Sequence, residues 1–227
     1  MLTSQQSGVY LSLYAESRMT PGPAPQPQTR QRDPDWLARV GGWLFTWRTS
    51  LPLPIALALL IVPASSPAWR LWPGVVLTAL GELIRLWAVR QIGAISRTRS
   101  DRLGPLVSTG PFAIVRNPLY LGNIALWAGF SLSAGLPWMA PVVILLLALI
   151  YHAIVRWEED LLDARLGERY RAYVAQVPRW IPSAISPTHP EDAATFSWRE
   201  TLFSERGTLI AIALGYLLLW AKHSIKF

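Results

Sequence analysis

The chain has 227 residues, of which 52% are hydrophobic and only 15% are charged, and its formal net charge is +7. This composition excludes an ordinary soluble domain, and the lack of cysteine excludes disulfide bonds and thiolate metal sites. The basic residues are almost all arginines spread between apolar blocks, which indicates a membrane protein without a nucleic-acid-binding face. The histidines, His152, His189 and His223, lack metal-ligand spacing, so we expect no metal.

Residues 1–33 are predicted to be a disordered N-terminal tail. The tail lacks the charged-then-apolar layout of a secretory signal. Its last part, PGPAPQPQTRQRD from Pro21 to Asp33, is rich in proline and glutamine and cannot bury apolar surface.

Five apolar segments follow, and together they predict an all-α, integral membrane bundle of about five transmembrane helices. In chain order the segments are Leu51–Ala64, Leu71–Val89, Pro118–Ala134, Pro137–Trp157 and Thr208–Ala221. The second and fourth have close to the ~20 residues that a bilayer requires. The first and last have only 14 residues each, a length that also fits a re-entrant or interfacial segment. The first segment alternatively begins near Trp43.

Arginine and lysine alternate between rich and poor connecting segments, which predicts the topology. The segments before Leu51, between Arg90 and Arg116, and between Arg156 and Arg206 are rich, whereas the connections at Ser65–Arg70 and Gly135 are poor. Since cytoplasmic loops carry the excess of basic residues, five spans with a cytoplasmic N-terminus are expected. Only the final KHSIKF, with two lysines, runs against the alternation.

The stretch GELIRLWAVRQIG places two charges inside an apolar span. Glu82 and Arg85 lie three residues apart and therefore share one helical face. Two interpretations are open: a mutual ion pair facing the bundle interior, or an arginine that extends towards the headgroups. Gly74 and Gly81, on the same segment, permit close contact with another helix.

The stretch GPFAIVRNPLYLGN has the features of a helix start. Asn117 stands at the N-cap position and Pro118 at the first helical position. One interpretation is a simple cap. The other is a binding site for a carboxylate or phosphate, because free N–H groups and Arg116 meet there beside further polar or small residues, Tyr120, Gly122 and Asn123.

The segment RWEEDLLDARLGERYRAYVAQVPRWIP, residues 156–182, is predicted to form a cytoplasmic amphipathic helix. Its acidic run, Glu158, Glu159 and Asp160, has two interpretations. It forms a solvated helix exit in which Asp160 or Asp163 pairs with nearby arginines, or it supplies a carboxylate that accepts a ligand's ammonium group. The chain contains no glycine-rich nucleotide motif, nucleophile elbow or metal-binding His-Glu pattern.

Taken together, LVSTGPFAIVRNPLYLGN and the segment of residues 156–182 resemble the isoprenylcysteine carboxyl methyltransferase and phospholipid methyltransferase superfamily of integral membrane enzymes. GELIRLWAVRQIG resembles that family's upstream helix, so the resemblance extends from Gly81 to Pro182. It implies S-adenosyl-L-methionine as the cofactor, held at the cytoplasmic side.

The resemblance also implies the roles of individual residues. The cofactor's adenosine would be lined by the backbone of Gly104, Pro105, Leu106 and Val107 and by the ring of Phe112. The helix-start site would comprise Asn117, Pro118, Leu119 and Tyr120, with Arg116 and Glu159 in support. Glu158 would accept the methionine ammonium group, and Arg156 is the candidate substrate-facing catalytic residue. The family usually has histidine at Asn117 and tyrosine at Phe112; asparagine cannot become charged or act as a base.

The expected function is therefore S-adenosylmethionine-dependent methylation of a lipophilic small molecule or lipid. Arg156 would orient a carboxylate acceptor, whereas Glu82 or Glu159 would help to deprotonate an amine. The alternatives are a sterol-reductase-like enzyme that uses a reduced nicotinamide cofactor and a non-enzymatic membrane scaffold or transporter subunit. Residues 34–182 would form the core, and residues 183–227 a linker with a candidate transmembrane helix. The arginine-rich, lysine-poor composition suggests a bacterial inner membrane protein.

Overall fold

Seven α-helices and one 3-10 helix are found among the residues that the structure describes. A computed structural model describes residues 35–65, 71–93, 106–183 and 195–224, and within these ranges no strand occurs. The helices are α1 Trp36–Trp47, α2 Leu53–Ile61, α3 Leu71–Ile92, α4 Pro118–Ser133, α5 Met139–Leu166, α6 Glu168–Gln176 and α7 Trp198–Ser224, with the 3-10 helix at Gly110–Ala113. The predicted all-α fold is confirmed for these ranges. The predicted tail, Gly104 and Pro105 lie outside them.

Glycines set the closest contact of the bundle, between α3 and α4. A Cβ atom on Gly74 would lie 2.5 Å from the Gly129 carbonyl oxygen, and a Cβ on Gly81 would lie 2.7 Å from the Gly122 carbonyl oxygen. Because Gly74 meets Gly129 and Gly81 meets Gly122, the two helices run antiparallel. The predicted close approach at Gly74 and Gly81 is thus observed, and small residues permit it as they do in other membrane bundles.

The length of α5 corrects the predicted amphipathic helix. The predicted span ends at Trp157, but α5 continues without a break to Leu166. Gly167 then adopts φ +53° and its N–H bonds to the Asp163 carbonyl, after which α6 begins. Residues that carry a side chain rarely adopt a positive φ, whereas glycine does so readily. Gly167 therefore divides the predicted helix into the end of α5 and the separate α6. The periodicity of apolar residues continues across the break, which is why the sequence pattern did not reveal it.

Three of the described helices, α3, α5 and α7, are long and apolar enough to cross a membrane. The predicted count of five spans is not confirmed. Helix α4 has 16 residues, and the predicted Leu51–Ala64 segment contains only the nine-residue α2. By contrast, α7 has 27 residues instead of the predicted 14, because Glu205 and Arg206 lie inside the helix. Glu205 is accommodated there by an ion pair with Arg85 of α3.

Helix α1 packs against the part of α5 that precedes Glu158. Over α1, Asp35 pairs with Arg156, Gly41 packs on the Ala153 carbonyl, and Phe45 stacks on Trp157 with ring centroids 4.7 Å apart. These contacts hold α1 against the stretch of α5 from Ala153 to Trp157. The opposite face exposes a stripe at helical spacing: Trp36, Val40, Trp43 and Trp47. The expectation that the first span begins near Trp43 is wrong, because α1 ends at Trp47 and a turn separates it from α2.

Helix α7 runs antiparallel to α3 and identifies the two ends of the bundle. At its start, the Phe196 N–H bonds to the Arg90 carbonyl at the end of α3. At its other end, the Lys222 ammonium donates to the Leu59 carbonyl of α2 at 2.7 Å. The end of α3 and the starts of α4 and α7 therefore share one end of the bundle with the last turns of α5. This end, called the site end below, carries the predicted functional residues.

Candidate cofactor site at the site end

Two segments that are distant in the sequence run side by side at the start of α4. The Arg116 N–H donates to the Pro178 carbonyl at 2.9 Å, and the Ser183 N–H donates to the Ile114 carbonyl at 3.0 Å. The Asn117 side-chain amide donates to the Arg179 carbonyl at 3.2 Å. Asn117 does occupy the N-cap position, but its side chain forms no capping bond. The predicted side-chain cap is wrong, because the amide joins the two segments instead.

The 3-10 helix is fastened to α6. The Tyr173 hydroxyl donates to the Phe112 carbonyl at 2.7 Å. Leu106 is buried against Tyr170 and Tyr173, and Val107 next to it is half-buried. Burial raises the pKa of the Tyr173 hydroxyl, so it remains a donor at physiological pH. Leu106 and Phe112, two of the residues predicted to line the adenosine, are thereby held against α6.

Glu159 is clamped by two arginines. Its Oε1 lies 3.0 Å from Arg116 Nη1 and 3.0 Å from Arg179 Nε, and its Oε2 lies 2.5 Å from Arg179 Nη2. The hydrogen bonds to Glu159 raise the pKa of Arg179. The carboxylate therefore fastens α5 to both of the segments that meet at Asn117. The sequence motif offered Arg179 as one of several arginines, and only the fold distinguishes it.

Glu158 has a different environment from its neighbour. Its Oε1 accepts a hydrogen bond from the Tyr120 hydroxyl at 3.0 Å, and within the described ranges it has no ion pair. The Tyr120 ring stacks on Tyr151 at 4.6 Å between centroids. Arg48, whose guanidinium lies on the Phe45 ring, acts electrostatically on Glu158. The sequence did not indicate Arg48, because nothing local links α1 to the acidic run.

Arg156 points away from this cluster. It stands two residues before Glu158 on α5, so the two side chains leave the helix about 200° apart. Arg156 Nη2 lies 3.6 Å from Asp35 Oδ2, beside the start of α1. Its Nε atom is buried and unpartnered, as is that of Arg116.

The fold thus brings together most of the residues predicted for the site. Arg116, Asn117, Tyr120, Glu158 and Glu159 converge at the site end. Pro118 begins α4 as predicted, and Leu119 lies half-buried beside it. One interpretation of the acidic run is a set of local ion pairs with nearby arginines. Such a pair forms at Asp163, whose Oδ1 lies 2.9 Å from Arg171 Nε.

Comparison with known proteins identifies the central part of the chain. The family model described as phospholipid methyltransferase matches residues 69–169. This stretch, a little under half of the chain, is thus similar to the phospholipid methyltransferase family. The predicted resemblance is therefore confirmed, and the chain is a membrane protein with a methyltransferase-family core. The matched part of the chain contains Glu82, Arg116 and Glu158, whereas Arg48, Arg179 and Glu205 lie outside it.

A curated relative matches a similar length of chain. The nickel-cobalt-cadmium resistance protein NccN of Alcaligenes xylosoxydans xylosoxydans is 30% identical over 109 residues, which is 48% of this chain and 46% of that protein. The chain thus spans about half the length of the relative that it matches. No solved structure matches the chain.

Proposed function

We propose that the chain transfers a methyl group from S-adenosyl-L-methionine to a lipophilic, membrane-partitioned acceptor, at either a carboxylate or an amine. The observation that carries this proposal is the pairing of Glu158 with Tyr120 at the start of α4. It joins the two motifs whose order resembles the methyltransferase superfamily, within a chain whose residues 69–169 match that family.

The residues at the site end fit the methionine part of the cofactor. Glu158 is a carboxylate with a neutral donor and no ion pair among the described residues, so an ammonium group would complete its environment. The buried Arg116 Nε lacks an acceptor, and the start of α4 has N–H groups without partners inside the helix. Both would receive a carboxylate. Arg116, Asn117, Pro118, Leu119 and Tyr120 would hold this end of the molecule.

The adenosine would lie nearer to α6. Phe112, whose carbonyl accepts a hydrogen bond from Tyr173, would supply a stacking face, and the backbone of Leu106 and Val107 would line the same part of the site. We include Gly104 and Pro105 in this part of the site from the resemblance alone. When bound, the cofactor supplies a methyl group that its sulfonium already activates, so the protein's own contribution is alignment and the exclusion of water.

The acceptor roles divide among three charged residues. Arg156, with an unpartnered Nε, would orient an acceptor carboxylate. Glu159 is bound to two guanidiniums, which favours a positioning role over proton removal. Glu82 is the remaining candidate for contact with an amine.

The site would face the cytoplasm of a bacterial inner membrane. This orientation rests on the arginine-rich segments at the site end, since cytoplasmic loops carry the excess of basic residues. A lipophilic acceptor would then enter from the bilayer while the cofactor arrives from water. We further propose that residues 34–182 form the methyltransferase core and that α7 adds a C-terminal transmembrane helix.

Calorimetric titration of the detergent-solubilised protein with S-adenosylhomocysteine tests the proposal. We expect wild type to bind and Glu158→Gln to bind at least about tenfold more weakly, because hydrogen bonds to charged groups contribute about 1.5–3 kcal/mol. Glu168→Gln, on the exposed face of α6, is the matched control and should bind like wild type. A nicotinamide dinucleotide is titrated in parallel. If the protein binds only the dinucleotide, the reductase alternative is favoured; if it binds neither ligand, the scaffold alternative is favoured.

A further inference from the structure

An intramembrane charge cluster joins α3, α4 and α7. Arg85 of α3 contacts Glu82 Oε2 through Nε at 3.1 Å and Glu205 Oε2 through Nη2 at 2.5 Å. Its Nη1 donates to Asn123 Oδ1 of α4 at 2.5 Å, and Nη2 also reaches the Thr208 hydroxyl at 3.4 Å. Arg85 therefore uses its guanidinium inside the bundle and does not extend to the headgroups. The cluster stands one to two turns inside the bundle from the start of α4.

The cluster has one carboxylate more than it has cations. Two carboxylates share one guanidinium, and the other polar neighbours, Asn123 and Thr208, are neutral. Glu82 Oε1 is buried and receives no hydrogen bond, while only 7% of the Glu82 side chain is exposed. A buried carboxylate oxygen without a donor is unfavourable, and within a membrane charged groups are expensive and mark binding sites. The excess negative charge and the free acceptor both call for a cation that donates a hydrogen bond.

The position of the cluster suggests how such a cation arrives. Helix α7 carries Glu205 and Thr208 on one side, and only 6% of its most apolar stretch is buried inside the protein. The cluster thus lies at the junction of α3 with a helix that lipid largely surrounds. On its other side, Asn123 lies close to Tyr151, whose ring stacks on Tyr120, the partner of Glu158. The cluster is therefore adjacent to the proposed cofactor site, on the side that faces the bilayer interior.

We propose that the cluster of Glu82, Arg85 and Glu205 binds the ammonium group of a membrane-phase amine, with Glu82 Oε1 as its acceptor. If the proposed methyltransferase function holds, on which this assignment rests, the ligand is the methyl acceptor, and it is an amine rather than a carboxylate. Glu82 would take one proton from the ammonium group, because only the neutral amine nitrogen has the lone pair that accepts a methyl group. A carboxylate would add negative charge to a cluster that already has an excess of it. Glu82, Arg85 and Glu205, on α3 and α7, would thus select the ligand by the charge of its polar group.

The test is calorimetric titration of the full chain in phosphatidylcholine nanodiscs, with empty nanodiscs subtracted. The probes are octylammonium, octanol and octanoate, which share one alkyl chain and differ in charge. We expect octylammonium to bind wild type and Glu168→Gln alike, and to bind Glu82→Gln at least about tenfold more weakly. Octanol and octanoate should not saturate. Glu205→Gln, which removes the excess charge while leaving Glu82 in place, should also weaken octylammonium binding, and it serves if Glu82→Gln does not fold.

The outcomes separate this proposal from the methyltransferase proposal. Equal binding of octanol and octylammonium, preference for octanoate, or unchanged affinity in both variants would overturn the ammonium site. S-adenosylhomocysteine is titrated in the same nanodiscs. If it binds and no amine does, the ammonium site fails and the methyltransferase proposal stands. If the amine binds and S-adenosylhomocysteine does not, the assignment of the amine as methyl acceptor is overturned.

Discussion

The Tyr120 hydroxyl donates a hydrogen bond to Glu158 at 3.0 Å, and through it the first turn of α4 holds the carboxylate that follows the most apolar part of α5. Glu158 and Glu159 are adjacent in sequence but differ in the charge of the groups that they contact. Glu159 is paired with two guanidiniums, whereas Glu158 receives one neutral donor. This asymmetry identifies Glu158 as the carboxylate that is available to a ligand.

Replacing Tyr120 by phenylalanine should weaken S-adenosylhomocysteine binding by about tenfold. The substitution keeps the ring that stacks on Tyr151 and removes only the hydrogen bond to Glu158. Calorimetric titration measures the affinity. Tyr216→Phe removes a hydroxyl bonded to Thr78 between α7 and α3, and it should leave the affinity unchanged. Equal affinity of Tyr120→Phe and wild type would remove Glu158 from the proposed site.

Replacing Arg179 by alanine should lower the free energy of unfolding by about 1–3 kcal/mol, because it removes two hydrogen bonds to a partly buried carboxylate. The comparison is Arg171→Ala, which breaks the exposed ion pairs of Arg171 with Asp163 and Glu168 and should change stability much less than Arg179→Ala does. Denaturant unfolding in a fixed detergent measures both variants. A loss from Arg171→Ala as large as that from Arg179→Ala would contradict a specific role for the clamp on Glu159.

Replacing Gly81 by alanine should destabilise the bundle by about 1–3 kcal/mol, since the new Cβ would stand 2.7 Å from the Gly122 carbonyl and force α3 from α4. Gly207 of α7 has no atom within 4 Å of an added Cβ, so Gly207→Ala should be neutral or slightly stabilising. Thermal unfolding of the two variants side by side gives the comparison. Similar midpoints for both would mean that α3 and α4 do not depend on glycine contact.

Replacing Arg156 by alanine should reduce methyl transfer while leaving S-adenosylhomocysteine binding intact, because Arg156 leaves α5 on a different side from Glu158. Transfer of isotopically labelled methyl groups to a membrane extract measures turnover. Asp35→Asn weakens the neighbouring contact at 3.6 Å without removing the arginine, and should retain turnover. Unchanged turnover in Arg156→Ala would remove it from the substrate side.

The sequence predicted those features that depend on local pattern. The helix start at Pro118 and the cores of α3 and α5 follow from apolar length and from proline at the first helical position. The features that it did not predict depend on contacts between distant segments. Glu205 lies within α7 because Arg85 neutralises it, and the Asn117 side chain leaves its helix for the Arg179 carbonyl. In both cases, the sequence around one residue gives no sign of the distant residue that it contacts.

The packing of α1 on α5 has a consequence for where the proposed chemistry would take place. Tryptophan rings favour the headgroup layer, and α1 exposes three of them along one side. A 12-residue helix is only about 18 Å long, so α1 is too short to cross a bilayer but can lie along its surface. Since α1 contacts α5 just before Glu158, an α1 that lay in the headgroup layer would place this carboxylate at the boundary between water and the apolar interior of the bilayer.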